Sequence, residues 1–216
     1  DWMEVPTERV VCRSADPKRG LTYGDCNVGS YGYDALPEFI RNNYSMAPRG
    51  SCLVPGLPDL GYTENRKSDL WADNVCELYE EAKARRWTPA VDIDWEAVTA
   101  LEAAPEMKAA MSQLCTALEE IALVVMEFPS RWVFVINQEF LELKSFLCAQ
   151  MIDQARQVET FRKRGMATGG LKRASADIEQ ALKELLVTDT YGEGSVGINV
   201  MLGSLLPAVY SLMTGA

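Results

Sequence analysis

The residues best placed for chemistry lie in the stretch Gln138–Arg162, QEFLELKSFLCAQMIDQARQVETFR. At helical spacing Phe140, Leu143, Leu147, Met151, Val158 and Phe161 form one stripe, and Gln150, Gln154 and Gln157 fall on or beside it. Amides on an apolar face need partners, because an unpaired buried polar group costs roughly 1 to 3 kcal/mol. Polar groups on a neighbouring element must therefore face them. A carboxylate or imidazole at such positions could bind metal or move protons, whereas an amide oxygen is neutral and a much weaker metal donor. The carboxylates within reach of the stripe are few. Upstream, Glu120 sits at the edge of an apolar helix face, Glu119 points away from it and Glu127 lies slightly further round; Asp153 stands among the glutamines. The chain has no histidine. The six cysteines, Cys12, Cys26, Cys52, Cys76, Cys115 and Cys148, are widely spaced with no C-x-x-C pair, so zinc is not indicated. The glycine-rich run GMATGGLKRAS lacks the G-x-x-x-x-G-K-S/T pattern of a phosphate loop.

The elements that must position these residues read as helices. Residues 1–65 are rich in Gly, Pro, Asn, Ser and Tyr without a sustained period, which predicts an extended N-terminal arm with one helical turn near Leu36–Asn42. Such an aromatic arm must lie on the bundle or on a neighbouring subunit to be ordered. Residues 66–216 form the helical domain. Ser68 is the expected N-cap of a helix running to about Arg86, Pro89 breaks it, and Asp94 caps a short helix from Trp95. In the phrase RRWTPAVDIDW both tryptophans are expected to plug the core. Pro105 opens a core helix through Met107, Met111, Leu114, Leu118, Ile121, Val125 and Phe128, which Pro129 ends or kinks, with Ser130 available to cap the next. The glutamine helix then starts at Arg131 or at a turn nearer Asn137. Ser175–Val187 is amphipathic and DTYGEG follows as a turn.

Composition narrows the function classes. A formal net charge of -10 repels polyphosphate, so nucleic acid is excluded as the expected partner. The basic run at Arg162, Lys163 and Arg164 reads as a solvated helix end. Cys76, Cys115 and Cys148 on amphipathic helices read as small hydrophobes in a reducing compartment, cytoplasm or an organelle matrix or stroma; Cys12, Cys26 and Cys52 could pair only in an oxidising one. The chain opens on Asp1, so a targeting peptide, if one existed, has been removed. Residues 194–216 carry no charge and are long enough to span a bilayer, but Asn199, Gly203, Ser204 and Pro207 interrupt them and no basic cluster flanks them closely. A central bundle helix is equally apolar all round, and that is the expectation preferred over membrane contact.

The phrase MIDQARQVETFRKR resembles the DEARHxxxFxxR helix of the ferritin-like carboxylate proteins, a group that includes the ribonucleotide reductase small subunit. RRWTPAVDIDW gives weaker support, and the resemblance covers roughly residues 68–212. It implies an all-α, ferritin-like helical bundle, complete or truncated, which in active members holds two metals and activates dioxygen. Residue by residue the resemblance leaves only a vestigial site. Gln154 and Gln157 stand where the family has its Glu-x-x-His pair, Glu120 matches a first glutamate, and Gly203 stands where a further glutamate would be.

The function expected from this pattern is a non-catalytic, ferritin-like structural or accessory subunit of a larger assembly, with no cofactor and no catalytic residue. Other protein subunits would contact it through the N-terminal arm and the apolar C-terminal helix. The alternative is a di-iron or di-manganese oxygenase-type oxidoreductase, a fragment or a half-site completed by another chain, using Glu120 with Asp153 or Glu127.

Overall fold

The computed structural model describes residues 14, 16–27, 36–40 and 59–215, and among these the chain is all-α. In order the helices are α1 (Tyr23–Asn27), α2 (Lys67–Leu70), α3 (Val75–Ala84), α4 (Pro89–Asp92), α5 (Trp95–Ala100), α6 (Pro105–Val135), α7 (Leu141–Ala167), α8 (Ala176–Leu186), α9 (Tyr191–Ser195) and α10 (Gly203–Gly215). A 3-10 turn, Gln138–Phe140, precedes α7, and a π-helical segment, Val196–Leu202, joins α9 to α10. The described residues contain no strand, only isolated bridges Phe39–Arg66 and Glu64–Ile136.

The chain divides into two compact units. The first comprises residues 1–85 and 131–149, and its core includes Ile40, Tyr62, Val75, Trp132, Ile136, Phe140 and Leu147. It is organised on the reversal at Asn137, which is fully buried and bonded on every side. The Asn137 side chain accepts from the Glu139 N–H at 3.0 Å and donates to Asn65 Oδ1 at 2.8 Å, while its own N–H donates to the Glu64 carbonyl at 2.9 Å. Asn65 in turn donates to the Tyr62 carbonyl at 3.0 Å. An Asn pair of this kind satisfies both amides without water, which is what permits a chain reversal inside a core.

Three sequence expectations change here. Residues 36–40 are not helical, and residues 41 and 42 lie outside the described set. The helix expected from Ser68 to Arg86 is two, α2 and α3, because Trp71 leaves the helix in an extended conformation and turns its ring onto Phe140, 6.3 Å between centroids. Asp73 and Asn74, which favour turns over helix interiors, fill the break. Pro129 does not end α6. It is fully buried, and that burial offsets the roughly 3 kcal/mol a helix-interior proline costs. Ser130 accordingly caps nothing; its hydroxyl donates back to the Glu127 carbonyl at 2.6 Å. The glutamine helix begins at the Asn137 turn.

The second unit comprises residues 86–130 and 150–216. Its entry follows the sequence: Asp94 caps α5, accepting from the Ala97 N–H at 2.9 Å, and Trp95 donates its indole N–H to the Pro89 carbonyl at 2.7 Å. Both Trp87 and Trp95 are only half-buried, so neither is the core plug expected of it. Four long segments then alternate in direction. α6 and α7 run antiparallel, since Glu119 meets Arg162 and Ser112 meets Thr168. α7 ends at Gly169 and Gly170, whose φ values of 111° and 103° only glycine adopts freely, and Gly170 returns its N–H to the Gly165 carbonyl at 3.0 Å. Ser175 caps α8 by accepting from the Ile178 N–H at 3.3 Å. The DTYGEG phrase is a helix start and not a turn. Thr190 accepts from the Glu193 N–H at 3.2 Å, the forward half of a T-x-x-E capping pattern. Gly194 is required there, because a Cβ would stand 2.3 Å from the Phe128 ring.

Candidate functional site

The amide stripe of α7 faces the last helical segment. Gln150 donates its Nε2 to Asn199 Oδ1 at 3.1 Å, and Asn199 donates its Nδ2 to Ser195 Oγ at 3.0 Å. Two turns further on, the Tyr210 hydroxyl donates to Gln157 Oε1 at 3.4 Å, and the Tyr210 ring stacks on Phe161 with 6.3 Å between centroids. Between these contacts Gln154 is half-buried, and its Oε1, like that of Gln150, is shielded from solvent without a hydrogen-bond partner. The terminal segment thus supplies the polar partners expected for Gln150 Nε2 and Gln157 Oε1, and supplies none for Gln154 Oε1 or Gln150 Oε1. Asn199 sits in the π-helical turn, whose widened i to i+5 bonding is closed by the Gly203 N–H donating to the Ile198 carbonyl. Such π turns re-aim side chains relative to the helices that flank them.

The vestigial positions are not brought together. Glu119, expected to point away, is 4% exposed and accepts from Arg162 Nε at 2.7 Å and from its Nη2. Glu120 is only half-buried. Of the expected stripe on α6, Leu118, Val125 and Phe128 are buried, Met111, Leu114 and Ile121 are half-exposed and Met107 is exposed, while Ser112, Cys115, Thr116, Glu119 and Ala122 are buried beside it. Towards its N-terminal half the buried face shifts to the Ser112, Cys115 and Glu119 side of the apolar stripe, where the small hydroxyls are satisfied. Ser112 Oγ lies 3.1 Å from Thr168 Oγ1, and Thr116 Oγ1 accepts from the Lys172 N–H at 2.8 Å. The register of α6 on α7 also separates Glu120 from Gln154. With Glu119 level with Arg162, Glu120 stands roughly seven residues, or ~10 Å along the axis, from Gln154. Gly203 is exposed, and a Cβ on it would meet only the Ile198 carbonyl of its own helix, at 3.7 Å. Of this helix it is Asn199, not position 203, that reaches the stripe.

Asp153 pairs with Arg156 on its own helix, and burial raises its carboxyl above the ordinary carboxylate range against the pull of that cation. Glu127 is exposed. Among the described residues no three Cys, Asp or Glu side chains gather closely enough to hold a metal ion. Cys115 and Cys76 are buried as expected and Cys148 is exposed, contrary to expectation. Burial and then the neighbouring charge of Glu142 push the Cys76 thiol up to about 12. Cys12 and Cys52 lie outside the described residues.

Sequence reasoning also missed Glu139 and Glu142, which are 7% and 0% exposed in the first unit. A signal for them existed. Stepping the glutamine stripe backwards by three and four from Gln150 passes Phe146 and reaches Glu142 and then Glu139.

The other notable surface is α10 with its π lead-in. The helix from Tyr191 to Leu212 has a mean hydropathy of 1.5 over its most apolar stretch, yet only 11% of that stretch is buried, against 44% for the comparable stretch of Pro105–Val135. Ile198 is buried and Leu202, Leu206, Val209 and Tyr210 are half-buried, whereas Val200, Met201, Leu205 and Leu212 are exposed. A shallower groove lined by Ala110, Leu114, Ala117 and Ile178 is open to solvent and has Arg173 as its one charged side chain.

What the fold and these contacts define is an all-α protein with a bundle-like arrangement of helices. Compared with protein-family models, curated proteins and solved structures, the chain matches none.

Proposed function

We propose that the chain is a non-catalytic, ferritin-like accessory or structural subunit of a larger protein assembly, in which a di-metal site has been replaced by an amide-bonded helix contact. The observation that carries this reading is the pairing of Gln150 with Asn199 and of Gln157 with Tyr210. Neutral side chains engage each other at Gln157, one of the positions the resemblance gives to metal ligands, and at Gln150 on the same stripe, so divalent cations there would be desolvated with little compensating charge. That penalty is several kcal/mol per ion. The pairs also fix how the terminal helix lies on α7, leaving its charge-free outer side as the docking element.

A bilayer is the less favourable cover for that side. Between residues 199 and 210 the helix lies along residues 150–161 of α7, which bring Asp153, Arg156 and Glu159 to the same height. A span at that height would draw these charges towards hydrocarbon at a few kcal/mol each. Buried free thiols at Cys76 and Cys115 support a reducing compartment.

The test is elemental analysis of protein purified from iron- and manganese-supplemented medium. The expected content is well under one metal per chain. Stoichiometric metal that is lost on Glu120→Ala would overturn the reading in favour of a di-metal oxidoreductase.

A further inference from the structure

The connection from α7 to α8 is pinned onto α6 at three places. Ser112 Oγ lies 3.1 Å from Thr168 Oγ1, the Lys172 N–H donates to Thr116 Oγ1 at 2.8 Å, and Gln113 donates its Nε2 to the Arg173 carbonyl at 3.2 Å. Ala174, which follows, is buried. α8 therefore leaves the connection at a fixed place, and between its first turn and α6 lies the solvent-open groove lined by Ala110, Leu114, Ala117 and Ile178, with a volume of about 670 Å³. Small side chains give the groove its depth. Ala110 and Ala117 stand about one turn to either side of Leu114, and a larger residue at either position would fill the floor.

We infer that this groove docks an amphipathic helix of a partner protein, one that presents apolar side chains at i, i+4 and i+7 with carboxylates beside them. Its length fits such an occupant. From Ala110 to Ala117 the floor runs ~10.5 Å at 1.5 Å per residue, the span from i to i+7 on a helix laid in the groove. Its shape fits too. A small molecule in an open groove would keep much of its surface in water, whereas a helix covers the floor and turns its own polar side outward. An extended peptide is the poorer occupant, because the described residues contain no sheet edge to receive its backbone groups. A helix satisfies its own.

Charge complementarity sets the sign of the partner. Arg173 lines the groove and Lys172 precedes it; both are exposed, and among the described residues neither forms an ion pair, not even with Glu106, Asp177 or Glu179 on the adjoining turns. Other cations of the same unit do find acids: Arg156 holds Asp153, Arg162 holds Glu119 and Lys163 holds Glu159. In a chain with 31 acidic and 21 basic residues, two adjacent cations left without an acid at the rim of an apolar groove are open to carboxylates from outside. The net charge of -10 opposes an acidic partner only at a distance. Screening at physiological salt acts over ~8 Å, so at contact the two local cations decide.

Fluorescence anisotropy of the full chain with a fluorescein-labelled helical peptide of about 14 residues, leucines on one i, i+4, i+7 stripe and glutamates flanking it, tests the inference. The expected result is saturable binding with a Kd of ~50 μM or tighter, and amide NMR shifts that map to residues 110–117 and 172–178. Ala117→Leu fills the floor and keeps the charge, whereas Arg173→Glu keeps the floor and reverses the charge. Each is expected to weaken binding by about 10-fold or more while leaving the helical circular dichroism unchanged. Arg173→Glu is expected in turn to prefer the peptide with lysines in place of the glutamates. No saturable binding up to ~1 mM, undiminished binding by Ala117→Leu, or equal binding of a peptide of the same composition with its stripe scrambled would overturn the inference. So would amide shifts at the groove with octanoate and none with the peptide, which assigns the groove to a small amphiphilic anion. Metal content decides the accessory-subunit reading and peptide binding decides this one, so either can fail without the other.

Discussion

Replacing Arg162 by Met should destabilise the second unit by about 2 kcal/mol, whereas replacing Glu120 by Gln should change stability by less than about 0.5 kcal/mol. The first figure follows from the geometry of one pair. The Glu119 side chain is 5% exposed and takes two N–H groups from Arg162, whose own side chain is 52% exposed. Removing one partner of a fully buried pair costs about 3 to 5 kcal/mol, because the remaining charge is left in a poor solvent. Here the cation is half in water and its attraction is screened, so the lower value applies. Methionine retains the stem packing of the arginine and isolates the loss of charge. Glu119→Gln keeps an acceptor and should cost about 1 kcal/mol. The assay is urea denaturation followed by helical circular dichroism, with amide exchange over residues 105–130 and 150–167 to show that the loss falls in this unit. A double-mutant cycle of Glu119→Gln with Arg162→Met should return a coupling above about 0.5 kcal/mol. Equal costs for Glu119→Gln and Glu120→Gln, or a coupling near zero, would show that α6 is rotated and that Glu120 faces α7.

Two further outcomes follow from single sites. Gly194→Ala should lose about 1 to 3 kcal/mol by driving a methyl into the Phe128 ring, while Gly203→Ala, with 3.7 Å to its nearest neighbour, should fold as well as the parent; thermal melts of the two side by side give the comparison. Among the cysteines of α3, α6 and α7, Cys148 should alkylate rapidly in native buffer at pH 8, with Cys115 and Cys76 labelled only after unfolding, as read by peptide mass mapping. The Cys76 thiol ionises near its ordinary value of 9.0 when unfolded but only at about 12 when folded, so its contribution to stability is lost as pH rises from 9 to 12. Rapid native labelling of Cys76 would contradict its placement.

Helix existence was legible wherever a local device announced it. Asp94, Ser175 and the Pro105 start all stand where the caps and the proline rule put them. Failures came where a tertiary contact outweighed a local preference. Pro129 remains inside α6 because its burial outweighs the missing hydrogen bond, and Trp71 leaves its helix to reach Phe140. The site failed for a different reason. An apolar-stripe argument assigns the inward face to Leu114 and Ile121, but Ser112 and Thr116 find partners in the α7–α8 connection and rotate α6 just enough to exchange Glu119 for Glu120. Hydroxyls that bond inward carry no hydrophobic signal. Thr190 with Glu193 did carry one, a T-x-x-E pattern hidden by the glycines around it.

The glutamines were the most informative feature of the sequence, since their cost inside an apolar face predicted that polar groups must meet them. Which groups those were could not be read from spacing, because the π turn shifts Asn199 onto the stripe and carries position 203 to the surface. The same shift decides what the terminal helix does. An α-helix apolar on every side is stable in water only when neighbours cover it on every side. Here α7 takes the side bearing Asn199 and Tyr210, and the hydrogen bonds at Gln150 and Gln157 hold that choice. Rotating the helix would not help, since Val200, Met201, Leu205 and Leu212 would merely change places with residues equally apolar. Leaving those four exposed forgoes roughly 1.5 kcal/mol or more for each side chain. A second partner recovers that free energy, and no internal rearrangement of the helix does.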